Sequence, residues 1–124
     1  CDFFDVLIIC NNFVGFKALN AEIHSWNEST FYNLLKNCDA GIVPVSYDID
    51  ESWKGKMAKK SIEFMAIGMP IIASPYGVSH ALIHNETALL ASNDEEWYDC
   101  IKIMINSEDI RMKIGKKCKK SFFR

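Results

Sequence analysis

The sequence predicts an α/β fold in which a parallel β-sheet is covered by helices on both faces. Short apolar segments alternate with stretches of helical periodicity along most of the 124-residue chain. The apolar segments show no alternation of apolar and polar residues, which is typical of parallel strands buried on both faces. Hydrophobic residues make up 49% of the chain and charged residues 24%, as in folded globular proteins. We expect one partial domain over residues 1–124.

Five apolar segments are predicted as strands. They are Asp5–Cys10, Ala21–His24, Asp39–Val43, Ile71–Ser74 and Ala88–Ala91. In a parallel sheet, ligands bind beyond the carboxyl ends of the strands. The residues that follow Val43 and Ser74 are therefore expected at the binding edge.

Helices are predicted between and after these strands. Their ranges are 28–37, 56–67, 95–106 and about 107–122, with a short helix also allowed over 78–84. Gly68 and Pro70 form a C-terminal stop signal for the second helix, and Asp94 is expected to cap the third. The residues expected to face inward are Ala58, Ile62, Met65, Ala66 and Met69 in the second helix, Trp97, Ile101, Met104 and Ile105 in the third, and Ile110 and Ile114 in the last.

The cysteines and the chain ends bear on the cellular setting. The five cysteines are odd in number and form no Cys-x-x-Cys pair, which excludes a zinc ribbon and a redox motif. We infer free thiols in a reducing, cytoplasmic setting. No apolar run approaches the roughly 20 residues of a spanning helix, and the first residues are acidic rather than basic. The chain begins without Met and ends on Phe122-Phe123-Arg124 with no tapering tail. We therefore expect it to be a piece of a longer protein.

Charge is unevenly distributed along the chain. Residues 111–124 contain seven basic residues and no acidic one, although the whole chain carries a net charge of −2. This basic end is interpreted first as a solvated helix face, with peripheral contact to anionic membrane lipid or contact to nucleic acid as the alternatives. For the chain as a whole no nucleic-acid partner is expected, because basic residues with interleaved aromatics are absent outside this C-terminal end.

The stretch from Trp53 to Ser74 (WKGKMAKKSIEFMAIGMPIIAS) offers a site for a nucleotide diphosphate. Lys56, Lys60 and Glu63 fall on one face of the predicted helix, whose start lies next to Gly55. A helix N-terminus with a glycine and lysines can hold phosphates, and a carboxylate can accept both hydrogen bonds of a ribose diol. The alternative is a surface helix with a Lys60–Glu63 ion pair, worth under about 1 kcal/mol.

This stretch resembles the C-terminal half of the group 1 (family 4) glycosyltransferases, which have the two-domain GT-B fold. Those enzymes carry Glu, a triplet such as Ala-Met-Ala, and then x-Gly-x-Pro-(Val/Ile)-(Val/Ile)-Ala-Ser, where this chain has EFMAIGMPIIAS over Glu63–Ser74. The resemblance covers most of residues 5–118. Its other parts are Trp26, residues 39–44, Trp53–Lys56 with Lys60, Gly77-Val78, residues 85–91 and residues 95–97.

The resemblance implies a Rossmann-like, donor-binding domain of a retaining glycosyltransferase. Its donor would be a nucleotide-diphosphate sugar, and its acceptor a glycan or lipid-linked molecule held by an N-terminal domain that this chain lacks. No cofactor and no metal are expected, because the helix dipole and basic side chains take the diphosphate charge. Bacterial polysaccharide or glycoconjugate assembly at the cytoplasmic face of the membrane is the implied setting.

The resemblance also implies roles for individual residues. Glu63 matches the family Glu that holds the ribose hydroxyls, and Lys60 matches a lysine near the donor phosphates or ribose. Gly55 and Lys56 lie where family backbone amides meet the sugar, and Lys60 and Lys56 are the candidates for catalysis. The remaining candidate donor-binding residues are Trp53, Ser74 and Gly77.

The chain departs from the family pattern at three points. Gly55 replaces the first Glu of the family's Glu-x7-Glu pair, Ala81 replaces a common Glu, and a glycine after Asn85 is deleted. We expect this chain alone not to catalyse transfer.

The sequence leaves alternatives for both the function and the kind of site. One alternative is a non-catalytic nucleotide- or partner-binding module of the same fold, since fold does not fix function. A response-regulator-like flavodoxin fold fits less well, because Cys10-Asn11-Asn12 provides no acidic pocket. His80 and His84 lack further ligands for a metal, except Glu86. The loop acids Asp48, Asp50 and Glu51 are interpreted as solvated, with contact to donor hydroxyls as the alternative.

Overall fold

The computed structural model describes residues 6–9, 21–24, 27–44, 61–75 and 83–122. The chain divides into two compact units, Cys1–Cys38 and Asp39–Arg124. The sequence also predicts loops at residues 11–19 and 45–55. These loops, and most of the short helix allowed at 78–84, lie outside the described residues. The single partial domain over residues 1–124 stays a prediction.

The first unit contains two parallel strands and a helix. β1 (Val6–Ile9) pairs with β2 (Ala21–His24), and Val6 lies opposite Ala21. α1 (Glu28–Leu35) begins after Asn27, whose side chain accepts a hydrogen bond from the Ser29 amide at 2.9 Å. Both predicted strands are confirmed, and the helix ends two residues earlier than predicted.

The second unit is built on a three-stranded parallel sheet. Its strands are β3 (Gly41–Val43), β4 (Ile71–Ala73) and β5 (Leu89–Leu90), with β4 in the centre. Its helices are α2, of which residues 61–66 are described, α3 (Asp94–Asn106) and α4 (Glu108–Phe122). This arrangement confirms the predicted α/β class.

Helices cover both faces of this sheet. All of β4 is buried, and its successive side chains point to opposite faces, so that Ile71 and Ala73 join one core cluster and Ile72 joins the other. α2 adds Met65 to the first cluster, and α3 adds Cys100 and Met104 to the second. The predicted cover of helices on two faces is therefore confirmed.

α2 ends where the sequence predicts. Gly68 has a φ of +71°, and its amide donates to the Met65 carbonyl at 3.0 Å. The Met69 amide donates to the Phe64 carbonyl, also at 3.0 Å. These two bonds form a Schellman motif, in which glycine adopts the left-handed conformation at little steric cost.

The predicted inner face of α2 is partly wrong. Met65 and Met69 are buried as expected, but Ile62 is 42% exposed and Ser61 is fully buried. Ser61 and Met65 are four residues apart and share one side of the helix. The buried side of α2 is therefore rotated away from the side predicted from hydrophobicity. Ser61 is buried where Ile62 was expected to be. Ala58 lies outside the described residues.

The N-terminus of α3 is capped by Asn93 rather than by Asp94. The Asn93 side chain accepts from the Glu96 amide at 2.9 Å, and Asp94 becomes the first helical residue. The Glu96 carboxylate reaches back to accept from the Ser92 amide at 2.9 Å and from the Ser92 hydroxyl. These reciprocal bonds satisfy amide donors that a helix start leaves unpaired.

The inner face of α3 is centred on Cys100 and Met104, which are both buried. Met104 was predicted to face inward, whereas Cys100 was missed. Trp97, Ile101 and Ile105 are only partly buried and flank this line. A free cysteine thus acts here as a small hydrophobic residue.

The capping carboxylate makes folding stability depend on pH. Hydrogen bonds from the Ser92 hydroxyl and amide, with a smaller effect of the His84 charge, hold the pKa of Glu96 below its ordinary value of 4.5. The ionised form therefore stabilises the folded state above that ordinary value, and its contribution is lost as the pH falls through the lower folded pKa. We expect Glu96→Gln to remove this acid-dependent loss, as measured by urea unfolding from about pH 7 to about pH 3.

Glu95→Gln is the matched control for this prediction. Glu95 is exposed in the same helical turn. Its variant should keep the pH dependence of the wild type. Parallel stability curves for wild type and Glu96→Gln would contradict the role of the Ser92 bonds.

α4 is tied to α3 by a side chain that the sequence analysis did not single out. The Arg111 guanidinium donates to the carbonyls of Met104 and Ile105, at 2.5 and 3.1 Å, and so caps the end of α3. Ile114 is buried as predicted, but Ile110 is 36% exposed. Ile110 sits in the first turn, where it lies away from the core.

Candidate functional site

The carboxyl ends of the three strands of the second unit meet at one edge. The Ser74 amide donates to the Val43 carbonyl at 3.1 Å, and the Ala91 amide donates to the Ala73 carbonyl at 2.9 Å. The strand pairing thus continues for one residue beyond β4 and β5. In parallel α/β folds, this is the edge where ligands bind.

Ser74 belongs to the packed part of this edge. It is only 3% exposed, and it has further interactions within the chain. Its backbone position agrees with the predicted edge. Its contact with a donor stays a prediction.

Glu63 lies on α2, which runs back across the sheet. The end of α2 joins β4 through residues 67–70, and the Gly41 amide donates to the Pro70 carbonyl at 3.0 Å, which places this end at the amino edge. From residue 66 back to residue 61, α2 therefore runs towards the carboxyl edge. Helical side chains lean towards the helix N-terminus, so that Glu63 leans towards the same edge.

The carboxylate of Glu63 is available to a ligand. Glu63 is partly exposed. Within the described part of the chain, no hydrogen bond or ion pair engages it. A carboxylate in this state can accept hydrogen bonds from two neighbouring hydroxyl groups.

The structure describes two of the seven predicted donor-binding residues. Glu63 and Ser74 are carried by neighbouring elements, because Met65 of α2 packs in one cluster with Ile71 and Ala73 of β4. The predicted residues that lie outside the described ranges are Trp53, Gly55, Lys56, Lys60 and Gly77. The alternatives raised for Asp48, Asp50, Glu51 and His80 also lie outside them.

A tight turn over residues 83–88 leads into β5. Asn85 has a φ of +65°, a left-handed conformation that asparagine tolerates better than most residues. Its amide donates to the Ala88 carbonyl at 2.8 Å, and the Thr87 hydroxyl accepts from the Ile83 amide at 2.7 Å. Asn85 thus supplies the left-handed backbone conformation in this turn without a glycine.

His84 has a structural role in this turn. Its Nδ1 atom accepts a hydrogen bond from the Leu90 amide at 2.9 Å, which joins the turn to the end of β5. Only Nε2 is left for another partner. The sequence analysis considered His84 only as a metal ligand and did not predict the turn roles of His84 and Asn85. The available signal was the turn chemistry of Asn85-Glu86-Thr87.

The described cysteines are free thiols, and two of them are buried. Burial raises the pKa of Cys118 to about 11. Burial, with the charges of Glu96 and Asp99, also raises the pKa of Cys100. Both thiols therefore stay protonated near neutral pH and are poor nucleophiles.

Clusters of metal-ligating side chains and membrane-spanning helices are both absent from the described ranges. In those ranges no group of three or more His, Cys, Asp or Glu side chains could hold a metal ion. Among the helices that the structure describes, none is long and apolar enough to cross a membrane.

Comparison with known proteins gives the family. The family profile described as "Glycosyl transferases group 1" matches residues 13–107 of the 124-residue chain. No curated protein matched the chain, and no solved structure matched it. The match includes β2 to β5, the described part of α2, α3 and the turn over residues 83–88, whereas β1 and α4 lie outside it. The chain belongs to the group 1 glycosyltransferases.

Proposed function

We propose that this chain forms the donor-binding part of a retaining glycosyltransferase that uses a nucleotide-diphosphate sugar. Membership of the group 1 family supports glycosyl transfer between a sugar donor and an acceptor in general. The observation that carries the donor assignment is Glu63. Its carboxylate is partly exposed, is unpaired among the described residues and leans towards the carboxyl edge of the sheet.

In this proposal the predicted site residues bind different parts of the donor. Glu63 accepts hydrogen bonds from the two ribose hydroxyls. Lys60, Lys56 and the backbone at Gly55 hold the diphosphate and stabilise the charge that develops on it as the sugar leaves. Trp53, Ser74 and Gly77 flank the donor. The diphosphate charge is balanced without a metal ion.

The rest of the proposed reaction depends on parts beyond this chain. A glycan or lipid-linked acceptor is held by an N-terminal domain, and a hexose is the transferred group. The enzyme works in the bacterial cytoplasm, at the inner face of the membrane, in polysaccharide or glycoconjugate assembly. These statements rest on the family resemblance alone.

Replacing Glu63 tests the donor site directly. We expect Glu63→Gln to weaken binding of UDP or GDP by roughly 10- to 100-fold, because charge-assisted hydrogen bonds to the ribose are lost. Isothermal titration calorimetry of the protein with each nucleotide would measure this change. The same titrations would show which base the site prefers.

Glu95→Gln is the control, since it removes one exposed carboxylate from α3. This variant should bind nucleotide as the wild type does. Equal affinities of wild type and Glu63→Gln would contradict the proposed role of Glu63. Nucleotide binding by a full-length protein that transfers no sugar would favour the non-catalytic module.

A further inference from the structure

The outward face of α4 carries four lysines that pair with no acidic residue in the described part of the chain. Lys113, Lys116, Lys117 and Lys120 are spaced so that they share one side of the helix, and all four are exposed. The opposite side packs in the core through Ile114 and Cys118. No ion pair within the described part of the chain involves these lysines. We call these four residues the lysine face.

Two neighbouring basic residues have structural roles and do not belong to this face. Arg111 caps α3 through the carbonyls of Met104 and Ile105. The side chain of Lys119 packs at Gly68, where an added Cβ would meet its Cδ at 3.3 Å.

The helix dipole explains only part of the basic charge. It favours lysines in the last turn, such as Lys120, but not three further lysines in earlier turns. The acidic residues of α4 are confined to its first turn, and the nearest to the face is Asp109, one turn before Lys113. The face is therefore open to an external anionic partner.

We propose that the lysine face binds the surface of a membrane rich in anionic phospholipids. Four or more lysines on one side of an amphipathic helix are typical of contact with such lipids. Lysine is a compact charge on a flexible stem, which suits many mobile headgroups. The face contains no arginine, the residue that contributes most to specific recognition of nucleic acids.

An exposed methionine adds a short apolar contact next to the lysine face. Met112 is 65% exposed and lies one turn before Lys116. A side chain of this kind can enter the headgroup region of a bilayer. Polar ligands such as soluble polyanions would gain nothing from it.

The packing of α4 determines how the contact works. Its apolar side is already occupied by the core, so the helix cannot turn this side into the bilayer. Attraction between the lysines and the lipid headgroups is therefore the main term, and added salt will screen it strongly. This inference does not depend on the donor site, and it holds or fails without regard to the nucleotide.

Vesicle sedimentation with a matched pair of double variants tests the proposal. One variant, Lys116→Gln with Lys120→Gln, removes two charges from the lysine face. The control, Lys36→Gln with Lys102→Gln, removes one exposed lysine from the C-cap of α1 and one from α3. The vesicles contain phosphatidylcholine alone or with about one third phosphatidylglycerol.

We expect the wild type to sediment with the anionic vesicles and not with the neutral ones. Each lysine contributes roughly fivefold to the partition coefficient, so the face variant should bind about 25-fold more weakly. The control should stay within about twofold of the wild type, since its lysines lie outside the face. Unchanged melting temperatures would show that both variants are folded.

Three results would overturn the proposal. They are no binding of the wild type to anionic vesicles, equal losses in the two double variants, and binding that persists in about 1 M salt, where the screening length is only about 3 Å. Binding of a duplex RNA oligonucleotide in place of vesicles would assign the face to nucleic acid instead.

Discussion

Gly115→Ala is expected to lower the free energy of unfolding by about 3 kcal/mol, although alanine is normally the better helix residue. A Cβ atom at position 115 would lie 2.4 Å from the carbonyl oxygen of Gly68. Both groups belong to the backbone, and Gly68 is held by the Schellman motif at the end of α2. α4 would have to move away from the sheet, and Ile114 and Cys118 would lose part of their packing. Urea unfolding of both proteins would measure the difference.

Gly41→Ala is the matched control for this prediction. There the added Cβ would lie 2.9 Å from the ring of Phe64, which is a side chain that can shift. The expected loss is smaller, about 1 kcal/mol. Stabilisation of the protein by Gly115→Ala, by up to about 1 kcal/mol, would instead match the amount expected from the helix propensity of alanine alone. That result would contradict the close contact with Gly68.

The element types could be predicted because their signals are local. The apolar segments give all five strands, and Gly68 with Pro70 gives the end of α2 one residue from where the structure has it. The predictions fail where tertiary contacts determine which side of a helix is buried. Ser61 is buried and Ile62 exposed, since the position of α2 on the sheet selects the buried side of the helix and hydrophobicity alone does not.

The cap of α3 shows a second limit of sequence reasoning. Asn93 and Asp94 are both good capping residues, and their order of preference is nearly equal. The bonds that Glu96 makes with Ser92 select Asn93, because only this choice places Glu96 at the third helical position. The choice therefore depends on a pair of residues rather than on one.

The candidate site combines a motif resemblance with the positions of α2 and the sheet edge. Glu63 and Ser74 come from motif resemblance, and the structure adds the direction of α2 and the shared carboxyl edge of β3 and β4. His84 and Asn85 could not be predicted from periodicity, because their roles depend on how one turn closes on β5. Hydrogen bonds between side chains and the backbone do not change the spacing of apolar residues in the sequence, so this spacing does not reveal them.

Met65→Ala is the second change with a large expected effect, a loss of about 3 kcal/mol in the free energy of unfolding. Met65 is 2% exposed and packs in one cluster with Val43, Ile71 and Ala73, which come from the two strands beneath α2. Truncation removes apolar contact and leaves a cavity that the short strands cannot fill. Thermal and urea unfolding would measure the loss.

Ile62→Ala, on the same helix, is the control. It tests whether Ile62 is exposed, as in the structure, or buried, as its hydrophobicity predicts. Ile62 is 42% exposed, so its truncation should cost less than about 1 kcal/mol of unfolding free energy.

Met65 is also close in sequence to Glu63, and its packing fixes the helix that carries the carboxylate. Met65→Ala should therefore weaken nucleotide binding as well as stability, whereas Ile62→Ala should change neither strongly. Equal losses of stability in the two variants would instead support the inner face centred on Ile62 and contradict the burial of Ser61.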